Sequence, residues 1–308
     1  MRFSAQLPTD RVTKGTEFTS GAAIGEMARA AETAGFDAGY VTEHPFPSDE
    51  WLASGGHHAL DPFVALTAAA TATSRLRLHT NLLVLAYRNP FVTAKAIASL
   101  DVVSGGRVIV GVGAGYLEGE YRALGADFEH RNEVSDDAIT AMKRAWSETG
   151  VHYEGRGYRA AGNTMLPAPL QKPHPPLWIG GNSRRARRRV AEHAQGWSPF
   201  PVTPDFGRRT HTAAIETMDD LAGGIRELRA LAAERGRPEP LDVNFVPFGT
   251  GMQQRALPDA DGFCEQMEKL EAIGVTWVSM GIPCPSRAAY CENAARFGSE
   301  IIARLRRR

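Results

Sequence analysis

Short apolar runs alternate along this chain with stretches whose apolar residues return every three or four positions, and that alternation sets the predicted elements. Residues 2–7 read as a strand. Residues 20–34 read as a helix, with Ile24, Met27, Ala28 and Ala31 on one face and Gly35 as its stop. Residues 36–42 are the next strand. Asp61-Pro62 puts a capping side chain before a proline at the first helical position, then comes a strand over 76–85. Asn89-Pro90 repeats the device for a helix that Gly105-Gly106 closes, and a strand over 107–112 follows. After a helix over 132–148, the aromatic, Gly and Pro content of 151–169 breaks the rhythm and reads as a small hairpin. The rhythm then resumes with a strand over 176–179, a helix over 183–194 and a short strand over 196–200. A helix over 219–235 carries Leu221, Ile225, Leu228 and Ala232 on one face. A strand over 241–248, a helix ending at Gly274, a strand over 275–280 and a helix over 286–305 complete the chain.

Eight strands in alternation with helices is the count of a (β/α)8 TIM barrel. No composition break divides residues 1–308, so one domain is expected, with insertions near 151–175 and 199–218. A doubly wound Rossmann sheet is the structural competitor. Near-continuous apolar runs such as Val108-Ile109-Val110 and Leu82-Leu83-Val84-Leu85 suit parallel strands covered on both faces.

In such a barrel the chemistry sits at the C-terminal ends of the strands, and polar and glycine residues collect there. Glu43-His44 follows the second strand and is the best acid/base candidate, because imidazole titrates near neutrality. Neighbours on a strand point to opposite faces, so the two side chains need not touch, and a capped structural histidine is the plain alternative. Gly111-Val112-Gly113-Ala114-Gly115 lacks the dinucleotide spacing G-x-G-x-x-G, and no acidic residue follows a second strand at the required distance. It reads either as a close backbone approach to a flat ligand or as a tight turn. Gly180-Gly181-Asn182-Ser183 leads from a strand into a helix, where bare backbone N–H groups suit a phosphate. Arg184 and Arg185 add charge beside it, against the reading of a capped helix with a solvated basic face. His57-His58 finds no third metal ligand, and Trp51 in the same loop either lines a pocket or anchors the loop.

Composition narrows the partners. Lys plus Arg and Asp plus Glu both number 35, so the net charge is zero, which argues against capture of nucleic acid or an anionic membrane. No apolar run approaches the ~18 residues of a membrane span. Three cysteines, Cys264, Cys284 and Cys291, form no disulfide framework and no metal spacing. A cytoplasmic protein acting on a small molecule is the expectation.

Several segments resemble the bacterial luciferase-like monooxygenase superfamily, particularly its coenzyme F420-dependent branch. They are residues 35–45 (GFDAGYVTEHP), 61–66, 75–80, 88–91, 100–107 (LDVVSGGR), 111–116 (GVGAGY), 172–181 (KPHPPLWIGG) and Gly196-Trp197. The resemblance is strong to about residue 200 and weaker beyond. It implies a (β/α)8 barrel with deazaflavin F420, or alternatively FMN, in the mouth, and hydride transfer to or from a small organic substrate. It places a non-proline cis peptide near Thr80-Asn81, with Leu82 and Leu83 beside it, behind the ring. It places Gly113, Ala114 and Gly115 against the cofactor, its phosphate on Gly180, Gly181, Asn182, Ser183 and Arg184, and acid/base work on His44 with Glu43. The run Arg184 to Arg189 would attract the oligoglutamate tail that F420 has and FMN lacks. The rival enzyme is an FMN-dependent monooxygenase fed by a flavin reductase and using oxygen. A non-catalytic flavin-binding barrel is the rival outside enzymes. Relatives suggest a homodimer. Two departures stand out: Tyr116 where sugar-phosphate oxidisers carry an acidic residue, and Glu43 where aspartate is common. Substrate choice would lie in loops 199–218 and 249–261.

Overall fold

The alternation closes on itself. In a computed structural model, which describes residues 1–237, 240–251 and 254–307, eight parallel strands form a closed barrel ringed by helices. Residues 252 and 253 of the loop 249–261 lie outside the described residues. The strands are β1 (Arg2–Gln6), β2 (Ala38–Val41), β3 (Arg77–Val84), β4 (Val108–Gly113), β5 (Val151–Gly155), β6 (Tyr158–Asn163), β7 (Leu177–Gly180), β8 (Gly196–Ser198), β9 (Asp242–Phe245) and β10 (Trp277–Met280). Round the barrel the order is β1, β2, β3, β4, β7, β8, β9, β10, with β10 paired back onto β1. The pair β5–β6 is an antiparallel hairpin outside it. A closed barrel excludes the open Rossmann sheet.

Strand ends fall short of their apolar runs where proline intervenes. Pro199 follows Ser198 directly, and Pro247 lies two residues beyond Phe245; neither can donate to a ladder. The helix starts follow their capping residues. Asp61 accepts from the N–H groups of Phe63 and Val64, and Asn89 does the same for Phe91 and Val92. The motif at 100–107 has a structural use. Buried Asp101 accepts from both the backbone and the side chain of Gln171, while the Arg107 guanidinium bonds the carbonyls of Ala70 and Leu76 at 2.8 Å. Arg107 thereby ties the helix Pro62–Ala72 to the entrance of β4. The short helices Asp49–Ala53 and Pro204–Arg209 escape prediction, because six residues or fewer show no periodicity.

The main core lies between strands and helices, and a smaller cluster of Ala38, Ile109, Trp178 and Trp277 is separate from it. The Trp178 ring meets Trp277 at 5.2 Å and His79 at 4.9 Å. His79 is fully buried; burial pushes its pKa down to about 3, so the ring is neutral and pairs with Ser4 Oγ at 3.3 Å. Towards the C-terminal end, Asn244 donates to Ser198 and accepts from Ser279, both at 2.8 Å. Polar groups here satisfy one another, giving the barrel mouth a rigid polar floor.

Candidate active site

His44 lies three residues beyond β2, with its side chain 12% exposed. Its Nδ1 sits 3.4 Å from Glu120 Oε2, and Glu120 is 1% exposed. Glu120 belongs to the helix Glu118–Ala123 that follows β4. Two further donors hold its carboxylate. The Phe46 N–H reaches Oε1 and the Tyr87 hydroxyl reaches Oε2, both at 3.0 Å. Burial first, and the Glu120 charge second, push the Tyr87 hydroxyl far above its usual range, so it remains a donor. Glu43, the adjacent acid/base candidate, is committed elsewhere. Glu43 accepts from the Val84 N–H at 2.6 Å and forms an ion pair with Arg88, which also bonds Asp61 at 3.0 Å. Its bonds to the Val84 N–H and Arg88 turn Glu43 to the end of β3, while His44 pairs with Glu120.

Aromatic contacts frame the imidazole. The Trp51 ring lies 4.4 Å from His44, and the His57 ring meets His44 edge-to-face at 4.8 Å. Both come from the loop after β2. On the far side Tyr121 packs on Tyr87 at 4.6 Å and its hydroxyl donates to the Ala114 carbonyl. Beyond β1, Asp10 takes a 3.4 Å hydrogen bond from Gln6, and burial raises its carboxyl pKa although His57 pulls the other way.

The glycines open a cradle beside this cluster. A non-proline cis peptide joins Asn81 to Leu82, at a register shift in the β3–β4 pairing. A Cβ on Gly111 would stand 2.1 Å from the Thr80 carbonyl oxygen, and one on Gly180 would stand 2.0 Å from Leu82 Cδ1. On Gly113 it would meet Leu82 at 3.3 Å, and on Gly115, whose φ is +67°, it would meet Val84 at 2.7 Å. Leu82 therefore lies over a backbone floor made by β4 and β7. Asn81 and Leu82 are half-buried, and Leu82 is the side chain that a Cβ on Gly113 or Gly180 would meet. Thr80 and Leu83 are buried: Thr80 bonds the Gly111 carbonyl at 2.9 Å, and Leu83 packs in the outer core. This split departs from simple strand alternation and falls at the register shift between Thr80 and Leu83.

The turn after β7 needs a similar correction. Ser183 caps its helix by accepting from Ala186, which leaves the first-turn N–H groups of Arg184 and Arg185 without intrahelical partners. Asn182 is fully buried and spends its amide on Phe200 and Ala213, while its own N–H goes to Thr212. Asn182 braces the segment 200–213 from beneath and has no donor left for a phosphate. Four of the five arginines in the run are ion-paired, while exposed Arg188 has no such partner among the described residues. Arg184 and Arg187 pair with Glu227, and Arg185 and Arg189 with Asp136, Arg185 also with Glu133. Those acids lie on two neighbouring helices, so the linear run shows only one half of each pair. Among the described residues no group of three His, Cys, Asp or Glu could hold a metal. None of their helices is long and apolar enough to cross a membrane.

Sequence reasoning missed Glu120, Tyr87 and Asp10. Glu120 stands 76 positions from His44, and only the closure of β2, β3 and β4 brings them together.

The fold and mouth define a (β/α)8 barrel that works at the C-terminal ends of its strands. The chain belongs to the luciferase-like monooxygenase family, whose model matches residues 1–251. The members of that family are oxidoreductases and monooxygenases dependent on F420 or flavin. An F420-dependent glucose-6-phosphate dehydrogenase of Segniliparus rotundus is 34% identical over 84% of this chain and 80% of its own length. An FMNH2-dependent dimethylsulfone monooxygenase of Pseudomonas putida is 28% identical over 75% of this chain and 59% of its own. Among solved structures, the coenzyme F420-dependent tetrahydromethanopterin reductase of Methanopyrus kandleri has a TM-score of 0.75 at 18% identity, covering 99% of each chain, a likeness of fold.

Proposed function

We propose that this protein transfers a hydride between coenzyme F420 and a small organic substrate, with His44 as the proton donor or acceptor. The observation that carries the reading is His44 held at Nδ1 by a buried carboxylate, beside a glycine cradle. Glycine at 111, 113 and 180 lets Leu82 lie close on β4 and β7, and a flat ring would rest on Leu82. Asn81 and Leu82 would back that ring, and Gly181, Ser183 and the open N–H groups of Arg184 and Arg185 would take its phosphate. Bound F420 would supply the hydride donor or acceptor. The residues of the chain do the rest. Glu120 fixes the tautomer of His44 with Nδ1 protonated, so that Nε2 serves as the atom that gives or takes the substrate proton. Trp51 and His57 close over that ring and reduce its contact with water.

Ion pairing of four of the five arginines weakens the one sequence feature that favours the deazaflavin, so the preference leans more on the 34% identical relative. The FMN-dependent relative supports a second reading, a monooxygenase working with a separate flavin reductase. Titration of the purified chain with each cofactor decides between them. Micromolar binding of F420 is expected, and binding of FMN without binding of F420 overturns the first reading.

A homodimer is part of the same proposal. Val64 and Val92 are 67% and 69% exposed in the first turns of neighbouring helices. Apolar side chains this bare on adjacent helices suit a self-complementary interface. Analytical ultracentrifugation should give about twice 33.4 kDa, and a monomer at micromolar concentration would refute it.

A further inference from the structure

The loop after β2 brings a second imidazole to the mouth, and its hydrogen bonding fixes what it can do. His57 Nδ1 lies 2.9 Å from the His58 carbonyl oxygen. A carbonyl only accepts, so Nδ1 carries the proton and Nε2 keeps its lone pair. Burial pushes the pKa of His57 down against the opposing pull of the His58 carbonyl and Asp10, and His44 adds to the lowering, so the neutral ring is favoured near pH 7. His44 has the same arrangement, with Nδ1 turned to Glu120. Two rings in contact at 4.8 Å therefore each keep an uncommitted Nε2 acceptor. Two carboxylates stand beside them: Glu120 adjoins His44 and Asp10 acts on His57, while Arg88 is occupied by Glu43 and Asp61 and Arg11 acts on Asp10. Paired acceptors beside carboxylates suit hydroxyl donors and oppose an anion.

We propose that His57 is a specificity-determining residue that accepts a hydrogen bond from a second hydroxyl of the substrate, next to the carbon–oxygen bond on which His44 acts. The substrate class is then an uncharged compound with two neighbouring hydroxyls, such as a vicinal diol, oxidised at one of them. In that direction the hydride leaves carbon for the cofactor and the hydroxyl proton goes to His44, so electrons and protons balance. The inference rests on the proposed function for His44, and on its own geometry for His57.

Two measurements test it separately. Nitrogen-15 NMR of the histidine rings at pH 7 should show His57 neutral with Nδ1 protonated, and its Nε2 signal should move on addition of a vicinal diol. A protonated ring, the other tautomer, or a signal that does not move overturns the proposal, whatever the enzyme's activity. Kinetics provide the second arm, with the cofactor that binds. His57→Phe should raise KM for a vicinal diol about tenfold more than it changes KM for the matching mono-alcohol, the worth of one lost hydrogen bond. His57→Gln, which keeps an acceptor, should recover part of the loss. The phosphate ester of the same diol should be a poor substrate. Equal losses on diol and mono-alcohol, or preference for the phosphate ester, overturn the proposal. Failure of wild type with every alcohol, with the diol still moving the His57 signal, would instead refute the hydride-transfer reading.

Discussion

Glu120→Ala should lower kcat/KM by about a hundredfold or more, close to the loss from His44→Ala, because general acid–base catalysis contributes on that scale. The expectation follows from what Glu120 touches. Its carboxylate meets His44 Nδ1 at 3.4 Å and is itself pinned by Phe46 and Tyr87. Without it the imidazole loses both its preferred tautomer and its orientation, and an acid/base group pointed wrongly is close to one removed. Because the two act as a unit, His44→Ala with Glu120→Ala together should be little worse than His44→Ala alone. Alanine also strands the Phe46 N–H and the Tyr87 hydroxyl, at a cost of about 1–3 kcal/mol for each buried donor left unpaired. Glu120→Gln separates the effects. It keeps the shape and one acceptor oxygen, so stability should largely return while activity remains reduced. Cofactor affinity, measured by titration, should be unchanged in both variants. Wild-type kcat/KM in Glu120→Gln and Glu120→Ala would remove Glu120 from the reaction centre and weaken the role of His44 with it.

The architecture was legible because it is written in local signals. Apolar runs mark strands, and Asp61-Pro62 and Asn89-Pro90 mark helix starts whose caps form as their residue types imply. The position of His44 was legible too, since it follows directly from the end of β2. Its partner was not. Glu43 is adjacent, yet Val84 and Arg88 hold it elsewhere, and Glu120 arrives from another strand's loop. The arginine run misled for a related reason. A charge run displays its own sign, while the carboxylates that neutralise it, Glu133, Asp136 and Glu227, are 40 to 53 positions away in the recorded hydrogen bonds. Asn182 has the residue type of a ligand-binding turn but spends its amide on backbone carbonyls 18 and 31 positions further on. Local periodicity reports which face of an element is buried. It carries no information about which side chains saturate one another across the barrel.

Gly111→Ala should be among the most damaging single substitutions in the chain. Its Cβ would lie 2.1 Å from the Thr80 carbonyl oxygen, 3.0 Å from Leu82 Cδ2 and 3.1 Å from His79 Nε2. The closest atom is backbone, in a strand that Thr80 Oγ1 already ties to Gly111, so no side-chain rotation relieves the contact. Strands β3 and β4 must separate, and with them the floor of the cradle. Overpacking of a tight core costs about 1–3 kcal/mol, and a clash with backbone belongs at or above the upper end. For a chain of this size the midpoint of thermal unfolding should fall by roughly 6 °C or more. Gly180→Ala makes the contrast. Its Cβ would also come within 2.0 Å of an atom, but that atom is the free end of Leu82. Leu82 can swing into the mouth at small cost to stability, where it would occupy the place proposed for the ring. Gly180→Ala should therefore melt near wild type and bind cofactor at least tenfold more weakly, the equivalent of about 1.4 kcal/mol. Thermal denaturation and cofactor titration on the two variants read the two effects independently. A Gly111→Ala protein as stable as wild type would contradict the close packing of β3 on β4, and a Gly180→Ala protein with unchanged affinity would place the cofactor elsewhere than over Leu82.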